Sequence, residues 1–254
     1  MMPPRPALHG PQGFALTELV VVLAILGLVM AGIMNVFMTG STIALTGQNR
    51  AEAQQGARGA LQMQEDLRMA GYGYPPALTA FTAASATAFT FWADLTNTST
   101  TLTAAVNASD RTLNVATVLG VTVGDTVYLI NQATEEALTV SGLGATSIGV
   151  SNPGAVNAYP VGTQVGRPRQ ITYSWDGASI LSKNAGDGTG AQAAVTGVTA
   201  FALTYFDAND NVIASPGTNL AAIRRIAMSL TVRSAATQNG STFTINASGR
   251  PRNF

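Results

Sequence analysis

Among the residues able to do chemistry in this 254-residue chain, Glu18 has the most demanding setting. It stands at the edge of an aliphatic run, LVVVLAILGLVMAGIM, and Leu19 to Gln48 carries no charged side chain. An acidic residue at the centre of a membrane helix costs about 2.5 to 3.5 kcal/mol, and less near its end, so a carboxylate kept there points to a functional partner. Elsewhere reagents are sparse. Cysteine is absent, which excludes disulfides, thiolate metal sites and cysteine nucleophiles. The single histidine, His9, lies ahead of the apolar run in the first ten residues, so a Ser-His-Asp triad or a histidine metal cluster would have to be built on that one residue.

Three smaller constellations read as turns and strands. Asp207, Asn209, Asp210 and Asn211 offer oxygen ligands at a spacing reminiscent of a calcium loop, with Asp207, Asn209 and Asn211 as weak metal candidates. The sixth position is Val212 rather than glycine, and no acidic residue closes the loop, so a turn between two strands is preferred. The stretch KNAGDGTGAQ, containing Asp187-Gly188-Thr189-Gly190, lacks the lysine of a phosphate loop and reads as a flexible hairpin. Glu135 and Glu136 are adjacent in a strand-like run and so point to opposite faces, which disfavours a concerted acid-base pair. The aromatic residues read as core and sheet packing, with Trp92 or Trp175 as the candidates for a surface ligand site. No cofactor is called for.

The elements that position these residues follow from periodicity. Starting at 14, the apolar run exceeds the roughly 20 residues needed to cross a bilayer and predicts a transmembrane segment over about 14–38. Helical periodicity continues through polar sequence, with Ala53, Ala57, Ala60, Leu61, Gln64 and Leu67 on one face. A single helix from 14 to 70 would be about 85 Å long, lipid-soluble first and amphipathic after. Gly71, Gly73 and Pro75-Pro76 stop it, closing a helical region of 14–76. Glycines at 27, 32, 40, 47, 56 and 59 each weaken it by about 1 kcal/mol relative to alanine. By the positive-inside rule Arg5 predicts that the residues before the apolar run are cytoplasmic and that everything after residue 40 lies beyond the membrane.

Beyond 76 the texture changes to short strand-like runs between turn residues: 88–95, 111–118, 125–131, 136–143, 147–151, 170–177, 198–208, 224–234 and 241–248. The expected class is therefore α+β, a long N-terminal helix packed on an antiparallel sheet. The charge balance of thirteen Lys plus Arg against thirteen Asp plus Glu has no basic block, and Lys183 is the only lysine, so no nucleic-acid partner is expected. With 46% hydrophobic residues the chain is not an intrinsically disordered one.

GFALTELVVVLAILGLV, residues 13–29, resembles the type IV prepilin signature. The resemblance implies a type IV pilin fold, a leader 1–13 cut by prepilin peptidase between Gly13 and Phe14, N-methylation of Phe14, and a role for Glu18 in assembly. The leader departs from the pattern in having Pro11 and Gln12 where a basic residue is often found. EDLRMAGYG (65–73), ITYSWDGASILSK (171–183), VTAFALTYFDANDNV (198–212) and IRRIAMSLTVRS (223–234) further resemble landmarks of PilW-type minor pilins and of J-type minor pseudopilins of type II secretion. This second resemblance implies a minor pilin that helps initiate or cap a pilus, with a type II secretion pseudopilin and a tip adhesin or ligand-binding module as alternatives, and no enzyme. Its partners would be other major and minor pilins through the helix, prepilin peptidase, and inner-membrane lipid before assembly; its place would be the inner membrane, with a periplasmic C-terminal domain, and then the extracellular filament. Residues 77–96 and 167–254 are expected to form the pilin sheet domain and 97–166 an inserted β module.

Overall fold

The computed structural model describes residues 16–118, 120–131, 134–233 and 242–252. One helix, α1 (Leu16–Arg68), precedes fourteen strands in the described residues, an α+β layout. From Leu16 to residue 50 the described chain is helix alone, and every side chain described there is exposed. The segment Leu16–Ala44 is long and apolar enough to cross a membrane. Near-continuous aliphatic sequence with no protein to bury it is what a lipid-facing helix requires.

From Ala51 onward the second half of α1 lies on strands. Its buried face is Gly56, Gly59, Ala60, Met63 and Leu67, continued by Ala70. This corrects the periodicity reading at Leu61, which is exposed, and brings Met63 and two glycines inward. The reason is proximity. A Cβ on Gly59 would stand 2.2 Å from Val195 Cγ2, and one on Gly56 would stand 2.7 Å from Val232 Cγ2. Only glycine admits strands so close to a helix axis, so the residues read as weakening the helix form its contact line.

The helix ends at Arg68, short of 70 and of 76. Gly71 and Gly73 take left-handed backbone, φ 81° and 69°, and the chain is then held by β2 (Ala88–Ala93) and its continuation. The Gly71 N–H donates to Trp92 O at 2.8 Å, and the Asp94 N–H donates to Tyr72 O at 2.9 Å. Tertiary pairing thus claims backbone that periodicity alone would leave helical.

The strands form three sheets, antiparallel throughout. The first has five strands: β1 (Phe81–Ala84), β2, β9 (Arg169–Trp175), β10 (Ile180–Asn184) and β11 (Ala191–Thr196), in that spatial order. The second has three: β12 (Val198–Phe206), β13 (Arg225–Arg233) and β14 (Thr242–Gly249). Alternation selects their inner face: Phe89 and Phe91 on β2, Ile171 and Tyr173 on β9, Leu203 and Tyr205 on β12, and Ile226, Met228, Leu230 and Val232 on β13 are buried against the helix residues Ala60, Met63 and Leu67.

Where one pilin sheet was expected, there are two, and the division falls at Gly197. Its φ is 73°. The next residue, Val198, donates its N–H to Ser179 O at the start of β10, while Gly197 O accepts from Arg233 N–H at the end of β13. One left-handed residue hands the chain from one ladder to the other. The hairpin expected around Asp187 is present as β10 and β11.

The third sheet has six strands, in the order β3 (Thr100–Thr101), β8 (Gln164–Gly166), β5 (Thr126–Ile130), β6 (Glu135–Leu143), β7 (Ser147–Val150) and β4 (Thr112–Asn114). Its buried cluster, including Leu113, Val127, Leu129, Ile148 and Tyr159, is separate from the one beneath the helix. The sheet is drawn wholly from the chain between β2 and β9, which are themselves neighbours, with Ala93 opposite Arg169. Strands β1, β3, β8, β10 and β11 were not among the runs picked out by alternation; β3 and β8 span two and three residues, too short for a period to register.

Candidate functional site

The processing residues Gly13 and Phe14 lie outside the described residues. Glu18 is described: it is in the first turn of α1, exposed, and the one acidic group of that turn. Beside it stand Thr17, Val21 and Val22. The next charged residue along the chain is Arg50, beyond the whole membrane-length segment. Glu18 therefore has no cationic side chain of its own described helix within reach.

The weak metal candidates are engaged by their own loop. Asp207 Oδ1 accepts the N–H groups of Asn209 at 2.8 Å and Asn211 at 2.9 Å, and Oδ2 accepts Asn211 Nδ2 at 3.2 Å. These bonds hold the Asp207 carboxyl below the usual carboxylate range. Asp210 faces away to Arg225 and Arg250, at 2.9 and 2.7 Å. The arrangement is a turn closing β12, with Asp207 N–H bonded to Asn211 O. Among the described residues no group of three or more His, Asp or Glu side chains converges as a metal site would need.

Glu136 serves a structural task. Its carboxylate accepts Val156 N–H at 2.6 Å and the Tyr159 hydroxyl at 3.3 Å, tying the loop before Tyr159 to β6. Two ion pairs were not legible in the sequence. Arg167 Nε meets Asp125 Oδ2 at 2.6 Å, and Lys183 Nζ meets Asp66 Oδ2 at 2.5 Å with the Tyr173 hydroxyl donating to the same oxygen. Burial raises the Asp125 carboxyl, but the bonds from Arg167 and Thr122 outweigh it and leave it below the usual range. Burial foremost, and then the Asp66 charge, push the Tyr173 hydroxyl far up, so it remains a donor at any ordinary pH.

Residues 9–34 match the prokaryotic N-terminal methylation motif, a span containing Gly13, Phe14 and Glu18. No curated protein matches the chain. The motif supports a type IV prepilin-like protein, a structural subunit with a transmembrane helix, and is consistent with a single-pass inner-membrane anchor.

Proposed function

We propose that this chain is a minor type IV pilin. Prepilin peptidase cuts between Gly13 and Phe14, Phe14 is N-methylated, and the helix anchors a periplasmic domain until the subunit joins a filament, whose assembly it helps to initiate or cap. The observation that carries this reading is Glu18 within the methylation motif, at the head of an exposed apolar helix with no other charge before Arg50. Cleavage exposes an α-amino group on Phe14, which stays cationic near neutral pH. In an apolar bundle of helices a lone carboxylate is strongly destabilised and an opposite charge relieves it. Glu18 pairs with the Phe14 amine of a neighbouring subunit and so sets the axial register.

The test has two parts. Intact-mass analysis of the protein from its native membrane gives a mature chain beginning at methylated Phe14; another N-terminus defeats the assignment. Glu18→Val leaves cleavage and membrane insertion unchanged but depletes the subunit about tenfold from sheared filaments, the equivalent of about 1.4 kcal/mol of lost pairing. Normal incorporation of that variant overturns the pairing mechanism.

A second reading, a ligand-binding module carried on the pilin anchor, is favoured by the six-stranded sheet with its separate buried cluster. It adds a task for the domain and leaves the anchor's role as stated.

A further inference from the structure

The groove where the six-stranded sheet meets the five-stranded one has a volume of about 400 Å³ and is lined by Trp92, Asp125, Arg167, Arg169, Gln170 and Asn184, among others. This is within the size range of small-molecule sites, which favour junctions of this kind. Its walls come from β2, the start of β5, β9 and the end of β10, so both sheets contribute.

One wall is a fixed aromatic plate. Trp92 stacks on Tyr74 with ring centroids 5.6 Å apart and planes 2° from parallel, and Tyr74 in turn meets Tyr128 edge-on at 5.3 Å. One face of the indole is covered by Tyr74, from the turn between α1 and β1, and Tyr128 of the six-stranded sheet backs Tyr74 in turn. The C–H face of a pyranose ring is apolar and packs on such a plate, while its hydroxyls need short polar groups around the rim.

The rim supplies them. Gln170 donates Nε2 to Thr82 at 2.9 Å, leaving Oε1 as an acceptor; Asn184 uses Oδ1 to accept Gly186 N–H at 2.9 Å, leaving Nδ2 as a donor. The cations decide the ligand's charge. Arg167, with its side chain only 6% exposed, is neutralised by Asp125 through Nε, and its Nη1 has no hydrogen-bond partner among the described residues. Arg169 makes no side-chain hydrogen bond or ion pair among the described residues. The carboxylate whose field it shares, Asp187, already accepts the Thr189 N–H and hydroxyl. Asp125 and Asp187 both keep their charge, so each arginine has a carboxylate in its field and the groove is close to neutral; the Arg169 N–H donors that no carboxylate engages suit a singly charged carboxylate, and the two anions oppose a phosphate dianion.

We propose that this groove binds an acidic saccharide, a pyranose bearing a carboxylate, with Trp92 under the ring and Arg169 on the carboxylate. The site does not depend on filament assembly and is tested on the purified full chain in detergent micelles. Trp175→Phe leaves Trp92 as the sole tryptophan reporter, and calorimetry on the unaltered chain reads the same equilibrium without that change. Sodium D-glucuronate is expected to change Trp92 emission saturably in the millimolar range. D-glucose is expected to bind about tenfold more weakly, and Arg169→Gln to bring glucuronate down to the glucose level, the usual size of one charge-assisted hydrogen bond. The proposal is overturned by no saturable response to glucuronate in either assay, by inorganic phosphate binding as well as glucuronate, or by unchanged glucuronate binding in Arg169→Gln.

Discussion

Asp66 shows how a single side chain can tie the helix to the sheets. Its Oδ2 takes the Lys183 ammonium and the Tyr173 hydroxyl together, both at 2.5 Å, and Lys183 also lies 5.9 Å from the centre of the Tyr173 ring. With Asp66 13% and Lys183 17% exposed, the pair is largely out of water, and a charge stranded there is costly. The two ends of the pair are not equivalent. Asp66→Ala strands both the ammonium and the hydroxyl, and is expected to cost about 3 kcal/mol of stability. Lys183→Met leaves the carboxylate with Tyr173 as a donor and is expected to cost about 1 kcal/mol. Denaturant unfolding of the full chain in micelles measures both, and a Lys183→Met loss equal to or larger than that of Asp66→Ala would show that Tyr173 does not support the carboxylate.

At the scale of elements the helix glycines divide into two classes that composition cannot separate. Gly27, Gly32, Gly40 and Gly47 have open space where a Cβ would be, whereas Gly56 and Gly59 are in contact with Val232 and Val195. Alanine at Gly47 gains about 1 kcal/mol of helix propensity with nothing to oppose it. Alanine at Gly59 meets Val195, a stiff β-branched side chain that is wholly buried, and the resulting strain of about 1 to 3 kcal/mol outweighs the propensity gain. Gly59→Ala is therefore expected to lower the thermal midpoint of the strand-bearing domain, Gly47→Ala to leave it unchanged, and Val195→Ala to relieve part of the Gly59→Ala loss. A Gly59→Ala chain as stable as the parent refutes the close approach.

The same contrast explains what the sequence made legible. An aliphatic run beside one glutamate is visible because lipid imposes a one-dimensional rule, and alternation in RIAMSLTVR is visible because one face is buried. Gly59 against Val195, Arg167 against Asp125, and the change of ladder at Gly197 were not, because each depends on two segments far apart in the chain. Leu61 was placed on the wrong face for a related reason. Periodicity weighs hydrophobicity and ignores glycine, yet here it is the glycines that mark the side of closest approach.

At the scale of the whole molecule, the six-stranded sheet has a buried cluster of its own. We propose that 97–166 is an inserted module in the pilin domain. Thr100 pairs with Val165 and Thr101 with Gln164, so the chain leaves and returns at neighbouring points, and the flanking strands β2 and β9 pair directly whether or not the intervening chain is present. Insertions enter at such places without disturbing the host core. Some contacts do cross: a Cβ on Gly166 would stand 2.1 Å from Gly73 O, and Tyr128 reaches the Tyr74–Trp92 stack. The core beneath the helix, however, draws nothing from 97–166. Replacing 97–166 by a short Gly-Ser linker is therefore expected to leave a single cooperative thermal transition, lowered by the loss of the aromatic edge contact, of the Asp125 partner of Arg167 and of the bonds that Thr98 and Ser99 donate to buried Asp94, each worth about 1 kcal/mol or more. The Asp66→Ala loss should persist undiminished in the shortened chain, since that pair lies wholly outside the deletion and distant sites add. A shortened chain that melts without a cooperative transition would make the six-stranded sheet part of the main core.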